Sequence, residues 1–152
     1  MSDACRAALD QVLSLVVLLN EDMTRSLAKD DLTVSRATLL WTLAQTGPCP
    51  QRVLADALGV SARTVTGLVD GLVATGFVTR EPHPGDRRAT LVTFTPRGSG
   101  WLERRRRDQA ELGRELFGSM PAERFRAFTA GLADVLARLR ALGLEHRPAV
   151  AG

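Results

Sequence analysis

The sequence predicts a mainly α-helical protein with one small β-hairpin, and three observations support this fold class. Apolar residues recur at helical spacing along most of the 152 residues. Glycines and prolines, several of them beside a serine or threonine that can cap a helix, separate the helical stretches. Residues 77–94 differ, because they contain short apolar and β-branched runs around a polar loop with two prolines.

The first predicted helix covers residues 4–29 and carries a broad apolar stripe. The stripe comprises Leu9, Val12, Leu13, Val16, Leu19, Met23 and Leu27, and Val17 and Leu18 widen it. A stripe of this width exceeds what one small core requires, so we expect part of it to pack against a second subunit. Thr33 then caps a second helix, which carries Leu39, Leu40 and Leu43 and is ended by Gly47-Pro48-Cys49-Pro50.

Residues 53–76 are predicted to form two short helices joined by a tight turn. Gly59 ends the first helix, since glycine enters the left-handed conformation without a Cβ penalty, and Ser61 caps the second. The inward positions of the second helix are Val65, Leu68, Val69, Leu72 and Val73. Its outward positions are Ala62, Arg63, Thr64, Thr66, Gly67 and Asp70. Such a face is typical of a helix-turn-helix whose second helix enters the DNA major groove, and the alternative is an ordinary helical hairpin.

Residues 77–79 and 91–94 are predicted to be two short strands joined by a polar loop, and Gly76 separates them from the preceding helix. A hairpin in this position is the wing of a winged helix. Arg87 and Arg88 lie near its tip, and we expect Asp86 to pair with an arginine and stiffen the loop. One arginine then reaches the minor groove or its phosphates, and the alternative is a solvated hairpin tip.

The run from Asp86 to Gly98, DRRATLVTFTPRG, resembles the wing signature of the MarR family of bacterial transcription regulators. In that family an aspartate and an arginine two residues later precede a hydrophobic strand, and a threonine and a glycine then open a long helix. Asp86, Arg88, Thr95 and Gly98 stand at the matching positions. The helix-turn-helix and the chain length are also similar. The resemblance implies a winged-helix homodimer that binds a palindromic operator and is often released by a small ligand or by oxidation.

Thr95-Pro96 is predicted to open a long helix over about residues 96–118, and Pro121 a last helix that continues to about residue 142. The apolar positions of the last helix are Phe125, Phe128, Leu132, Val135, Leu136, Leu139 and Leu142. The surplus apolar stripes of the terminal helices favour a symmetric dimerisation module, and the alternative is a three-helix bundle within one chain. Within the long helix, the run Arg104 to Arg107 covers every side of a turn, so at least one arginine must approach the packed side.

The expected organisation has four parts. They are an N-terminal dimerisation helix in residues 1–32, a winged helix-turn-helix DNA-binding segment in 33–100, C-terminal dimerisation helices in 101–145 and a frayed tail in 146–152. Three basic and six acidic side chains give the first part a charge of −3, and seven basic and four acidic side chains give the second +3. The basic excess therefore begins where the predicted DNA-binding segment begins, as expected for a polyanionic partner.

The residues expected to bind double-stranded DNA fall into three groups. Sequence readout comes from Ser61, Arg63, Thr64 and Thr66, with Gly67 allowing close approach. The wing contributes Arg88, helped by Asp86 and Arg87. Phosphate contacts come from Gln51 and Arg52 at the start of the first motif helix and, as weaker candidates, from Ser35 and Arg36.

The resemblance also implies a small aromatic or hydrophobic effector, bound between the helical part and the winged helix. Its expected lining is Met23, Leu27, Trp41 and Trp101. The alternative role for these side chains is core packing, because large aromatic residues dominate protein cores in any case.

Other classes of function have little support in the sequence. The two histidines, His83 and His146, have no second histidine or cysteine at ligand spacing, and there is no glycine-rich phosphate loop. We therefore expect no enzymatic activity, no metal and no cofactor. A winged-helix module for protein or RNA remains an alternative, although RNA readers generally present stacking aromatic residues that the second motif helix lacks on its outer face.

The cysteines and the chain ends bear on compartment and control. Cys5 and Cys49 form neither a metal set nor a CxxC pair, and we expect reduced thiols, with a redox-responsive regulator as the alternative. The sequence contains no long apolar run, so no transmembrane helix is expected. The residues MSDACRAALD do not have the pattern of a secretory signal. The expected location is the cytoplasm.

Overall fold

A computed structural model describes residues 2–144 as six helices and one hairpin. In chain order the elements are α1 (Ser2–Ala28), α2 (Val34–Thr46), α3 (Gln51–Leu58), α4 (Ala62–Ala74), β1 (Val78–His83), β2 (Asp86–Phe94), α5 (Pro96–Phe117) and α6 (Ala122–Ala141). The two strands pair in antiparallel fashion. These elements confirm the predicted fold class, and the predicted frayed tail at 146–152 lies outside the described residues.

Helix boundaries follow the capping residues that the sequence contains. Thr33 and Thr95 each accept a hydrogen bond from the backbone three residues later, at the starts of α2 and α5. Gly59 ends α3 in the left-handed conformation with φ +65°. Helix α4 stops at Ala74, two residues before Gly76, whose φ of +81° redirects the chain towards β1. Local sequence therefore determines where these helices begin and end.

One apolar core lies under α2, α3, α4, the base of the hairpin and the first turns of α5. Trp101 is fully buried at its centre, 5.9 Å from Trp41 and 6.3 Å from Phe77 between ring centroids. The Trp101 indole Nε1 donates to Asp30 Oδ2 at 3.1 Å, which satisfies its one polar atom. Leu27 joins the same core from the end of α1.

The hairpin is longer than the sequence predicted. Residues 80–90 were expected to be a loop, but the strands continue to His83 and resume at Asp86, so that a two-residue turn joins them. The expectation was wrong because the outer half of the hairpin extends into solvent, where paired backbone needs no alternating apolar side chains. Cys49 extends the sheet through a bridge to Val92, with N–O distances of 2.8 and 3.4 Å.

The terminal helices contrast with this core, and two expectations need correction. Within residues 2–144, α6 has no buried residue and α1 has one, Leu27, so the alternative of a three-helix bundle within one chain is wrong. Val73, predicted to face inward, is 38% exposed. Leu72 on the same turn of α4 is fully buried, so Val73 is exposed because it lies at the edge of the inward face of this helix.

Among residues 2–144, no single helix is long and apolar enough to cross a membrane, and the bent pair of α3 and α4, inclined at 114°, is the one combination that reaches such a length and composition.

Candidate nucleic-acid interface

The turn between α3 and α4 fixes the first residues of α4. Ser61 Oγ accepts from the Thr64 backbone N–H at 3.1 Å and lies 3.0 Å from Thr64 Oγ1, to which it donates. Both hydroxyls are therefore engaged in the cap at the start of α4. Their first role in the structure is to hold this helix end in place, and base readout by Ser61 or Thr64 remains a prediction.

The outer face of α4 is open. Arg63 is exposed on the first turn, and among the described residues its guanidinium makes no hydrogen bond or ion pair. Gly67 follows one turn later, and a Cβ at this position would meet nothing within 4 Å. A free guanidinium beside a glycine without a side chain allows the helix to approach a large polar partner closely.

A hydrogen-bonded chain of four side chains joins α3, α4 and β1. Arg80 donates from Nε and Nη2 to Gln51 Oε1, at 3.0 and 2.8 Å, and also forms an ion pair with Asp70 at 2.5 Å. Gln51 Nε2 in turn donates to Thr66 Oγ1 at 3.0 Å. The base of the wing and the outer part of α4 are thus held as one surface.

Sequence reasoning missed Arg80 as a site residue and Asp70 as its partner, because it assigned Arg80 to a loop. A signal was available in the spacing. Alternate residues of a strand share one face, so extending β1 places Arg80 on the same face as Val78, which is 2% exposed and packs against the body of the protein.

The tip of the wing has a defined geometry. His83 and Asp86 pair across the turn, and the register then shifts so that residues 87–89 bulge before Thr90 pairs with Pro82. Proline lacks the N–H that a ladder requires, which accounts for the irregularity at this point. The bulge displays Arg87 and Arg88, both exposed, on the outside of the hairpin.

Asp86 stiffens the tip in a different way from the one expected. Its Oδ1 accepts the backbone N–H of Arg88 at 3.0 Å, and among the described residues it forms no ion pair with a guanidinium. The prediction of a side-chain pair was wrong because the tight turn brings the main chain of residue 88, and not its side chain, against the carboxylate. His83 Nδ1 similarly accepts the Gly85 N–H at 2.9 Å.

The threonine and glycine of the signature fasten α5 to the base of the wing. Thr95 Oγ1 donates to the Gly76 carbonyl at 2.5 Å and accepts from the Gly98 N–H at 3.1 Å. A Cβ at position 98 would overlap the Phe77 carbonyl oxygen, so the close approach requires glycine. The Arg97 guanidinium covers the Phe77 ring at 4.7 Å.

The candidate phosphate contacts lie at two helix starts. The N-cap residue of α3 is Pro50, which makes no side-chain cap, and the half-buried Gln51 and exposed Arg52 follow it. At the start of α2, Ser35 and Arg36 are both half-buried. Arg36 lies against α4 at Gly71, where a Cβ would collide with its guanidinium, so part of its role is to pack these helices together.

The four candidate effector residues are not equally accessible. Leu27 and Trp101 are buried in the core, and Trp41 packs half-buried against Trp101. Met23, one turn before Leu27 on α1, is 44% exposed. Core packing therefore describes Leu27 and Trp101 in the single chain, and an effector role for the set stays a prediction.

The two cysteines occupy different environments. Cys49 is buried, with its Sγ 3.4 Å from Thr46 Oγ1, and its backbone extends the sheet. Cys5 is exposed on α1. No group of three or more histidine, cysteine or acidic residues in the described chain could hold a metal ion.

Comparisons with known proteins agree with this geometry. The model of the MarR family matches residues 32–90. The HTH-type transcriptional regulator ML2140 of Mycobacterium leprae is 33% identical over 72% of this chain and 76% of its own length. The HTH-type transcriptional regulator YdgJ of Bacillus subtilis is 30% identical over 72% of this chain, and the match spans 64% of that relative's length. Both relatives are described as uncharacterized.

The fold is also shared with solved structures. FabT of Streptococcus pneumoniae, crystallised in complex with DNA, superposes with a TM-score of 0.73 at 18% identity, over 93% of this chain and 99% of that one. Members of the matching family are DNA-binding regulators and not enzymes, as the sequence led us to expect. From the family match, the relatives and the shared winged helix-turn-helix, the chain belongs to the MarR family of transcription regulators.

Proposed function

We propose that this protein is a transcriptional repressor that binds a palindromic DNA operator as a homodimer and releases it when a small ligand binds. The observation that carries the proposal is the single surface formed by α4 and the wing. Arg63 on α4 and Arg87 and Arg88 at the wing tip are all exposed, and the Arg80 link to Asp70 joins the base of the wing to α4.

Base recognition is assigned to the first turns of α4. The free guanidinium of Arg63 suits the two acceptors of a guanine in the major groove, and the open backbone at Gly67 lets the helix lie deep enough for that contact. Ser61 and Thr64 hold the helix start through their cap and add short polar contacts. Thr66 completes the set.

Backbone contacts surround this readout. We assign phosphate or minor-groove contacts to Arg87 and Arg88 at the bulge, where Asp86 holds the main chain of residue 88. The N–H groups of Gln51 and Arg52 lie in the first turn of α3, where backbone N–H groups have no partner within the helix. This end of the helix dipole is positive and therefore attracts a phosphate. Ser35 and Arg36, at the start of α2, are the outer candidates.

The dimer is assigned to the terminal helices, in residues 1–32 and 101–145. Large apolar side chains on α1 and α6 are about 40–65% exposed in the single chain, among them Val16 at 57%, Leu18 at 65% and Leu136 at 43%. So many large exposed apolar side chains on two helices indicate a protein interface. Two-fold symmetry would then present two α4 helices to two half-sites one helical turn, or a multiple of it, apart.

Control by a small aromatic or hydrophobic ligand is the remaining part of the proposal. Such a ligand releases DNA only if it binds better to the dimer whose α4 helices have the wrong spacing. Leu27, Trp41 and Trp101 lie in the core where α1, α2 and α5 meet, and Met23 lies one turn before Leu27 on α1. Tryptophan fluorescence during titration with aromatic acids therefore tests ligand control. A compound that shifts the fluorescence and weakens DNA binding at matching concentrations supports ligand control. A broad panel without such a compound argues for constitutive binding.

Two other interpretations are separated by direct tests. A redox-responsive regulator would use Cys5, because Cys49 is buried, and mild peroxide followed by mass spectrometry would find selective oxidation of Cys5. A gel shift with genomic DNA fragments and total RNA tests the other interpretation. An RNA-binding module would shift the RNA and not the DNA, and a protein-binding module would shift neither. We place the protein in the cytoplasm, where its proposed DNA partner lies.

The experiment that tests the proposed function is a protection assay. We expect the purified protein to select a DNA duplex from a random pool and to protect an inverted repeat on it. Weak, sequence-independent binding with no selected repeat would overturn the proposal.

A further inference from the structure

The orientation of the Gln51 side-chain amide follows from the chemistry of Arg80. The guanidinium donates from Nε and Nη2 to one atom of the Gln51 amide, at 3.0 and 2.8 Å. A guanidinium only donates, so the receiving atom must be the carbonyl oxygen Oε1. The amide nitrogen Nε2 then lies on the opposite side, against Thr66 on α4.

The hydrogens that Gln51 Nε2 and the Thr66 hydroxyl can donate are three in number, and two of them have acceptors. Gln51 Nε2 carries two, and one of them goes to Thr66 Oγ1 at 3.0 Å. Thr66 gives its own hydroxyl hydrogen to the Ala62 carbonyl at 2.8 Å. Within residues 2–144, the second hydrogen of Gln51 Nε2 has no acceptor. One oriented donor therefore remains free beside the outer face of α4.

We propose that Arg80 is a positioning residue for DNA binding, which turns the Gln51 amide so that its free N–H donates to a DNA phosphate beside α4. The proposal deepens the proposed function and rests on it. A phosphate oxygen accepts hydrogen bonds and donates none, so only this orientation of the amide is productive. The opposite orientation would place carbonyl lone pairs against the phosphate charge.

Arg80 also neutralises the charge of Asp70. Its carboxylate is 60% exposed on the same side of α4, where a negative charge would repel a DNA backbone. The ion pair with Arg80 neutralises that charge while the same guanidinium holds Gln51. One arginine thus supplies a donor and removes a repulsion at the same surface.

The chain of bonds also limits what Thr66 can read. Its hydroxyl hydrogen is committed to Ala62, so Thr66 cannot donate to the N7 or O6 acceptors of a guanine. It can accept from an exocyclic amino group of adenine or cytosine, or place its methyl group against thymine. We therefore expect the base that Thr66 contacts to be adenine, cytosine or thymine and not guanine.

A double-mutant cycle tests the positioning role, with the protein and a DNA duplex that the wild type selects from a random pool. The cycle is made in an Asp70→Asn background, so that loss of Arg80 does not leave an unpaired carboxylate beside the DNA. We expect Gln51→Ala to weaken binding about tenfold, the loss of one hydrogen bond to a charged group. Arg80→Ala should cost at least as much, because it also removes a positive charge, and the double variant Gln51→Ala, Arg80→Ala should cost no more than Arg80→Ala alone. Losses that multiply in the double variant would overturn the proposal.

Further variants distinguish orientation from folding. Gln51→Glu keeps a partner for Arg80 but replaces the donor with an acceptor, so it should bind DNA more weakly than Gln51→Ala. Arg80→Lys should recover part of the affinity lost in Arg80→Ala, because an ammonium can also donate to Oε1. Thr79 also lies on β1, but its side chain makes no hydrogen bond to Arg80, Gln51, Thr66 or Asp70. Thr79→Ala is therefore the matched control and should bind as wild type. All variants are compared by thermal unfolding, so that a loss of fold is recognised.

The outcome separates this proposal from the proposed function. If Arg63→Ala and Arg88→Ala impair DNA binding but Gln51→Glu binds as well as wild type, the positioning role is wrong and the DNA-binding surface stands. If none of these variants changes binding, the surface itself has been misassigned.

Discussion

The winged helix-turn-helix and the terminal helices differ in how completely one chain buries them. In the first region Leu54, Val69 and Val92 are each fully buried, and the caps and the wing fastening are satisfied within the chain. In the second, large apolar residues of α1 and α6 such as Val16 and Leu136 remain exposed. The comparison teaches that one chain covers the core of the DNA-binding region, to which Leu27 and Trp101 of the flanking helices contribute, whereas α1 and α6 have apolar faces that need a partner.

Placing a charge in the exposed apolar face tests that difference most strongly. Val16→Asp or Leu136→Asp would bury an unpaired carboxylate in the proposed dimer, at a cost of about 3–5 kcal/mol. We expect light scattering to show loss of the dimer at micromolar concentration. Gln11→Asp, a polar position on α1, is the control and should remain dimeric. A variant Leu136→Asp that dimerises like the wild type would contradict the assignment of this face.

A substitution at the wing fastening should act on the other region alone. Gly98→Ala forces a methyl group against the Phe77 carbonyl and should destabilise the protein by about 1–3 kcal/mol in urea unfolding. Gly100→Ala, in the same helix, meets its nearest atom at 3.7 Å on the flexible Arg104 side chain. It should be neutral or stabilising by up to about 1 kcal/mol. Equal effects of the two changes would mean that position 98 is not the close contact described above.

Within the DNA-binding region, α4 should affect sequence discrimination. Arg63→Ala is expected to reduce the preference for the selected duplex over random DNA by about 1–3 kcal/mol, the value of a bidentate contact to guanine. Fluorescence anisotropy with both duplexes measures it, and Arg126→Ala on α6 is the control. Equal losses on the two duplexes would assign Arg63 to the DNA backbone.

The wing should contribute to the binding affinity for all DNA sequences to the same degree. Arg88→Ala is expected to weaken binding to both duplexes and to lower the magnitude of the salt slope by roughly one, since one fewer counterion is released. Titrations over a range of salt concentrations give this slope. Arg124→Ala on α6 should leave it unchanged, and an unaltered slope for Arg88→Ala would remove the wing from the interface.

Much of the fold could be predicted because its signals are local. Thr33, Ser61 and Thr95 are caps, and Gly59 takes the left-handed conformation that a tight turn requires. The outer half of the wing could be recognised as a polar tip but not as paired strands, since Arg87, Arg88 and their neighbours carry no apolar alternation where both faces meet solvent.

The candidate site was predictable where one residue acts alone and not where several act together. Arg63 is exposed as expected, because its place on the outer face of α4 follows from helical periodicity. The link from Arg80 to Gln51 and Asp70 spans 29 and 10 positions of the chain, so only the folded arrangement of β1, α3 and α4 brings these side chains together.

The most direct test of the dimeric DNA-binding surface is a hydroxyl-radical footprint on the selected duplex, taken together with the mass of the complex. We expect a mass of two chains per duplex and two protected half-sites whose centres lie one helical turn, about 34–36 Å, or a multiple of it, apart. A stable monomer that protects a single half-site would contradict the proposal.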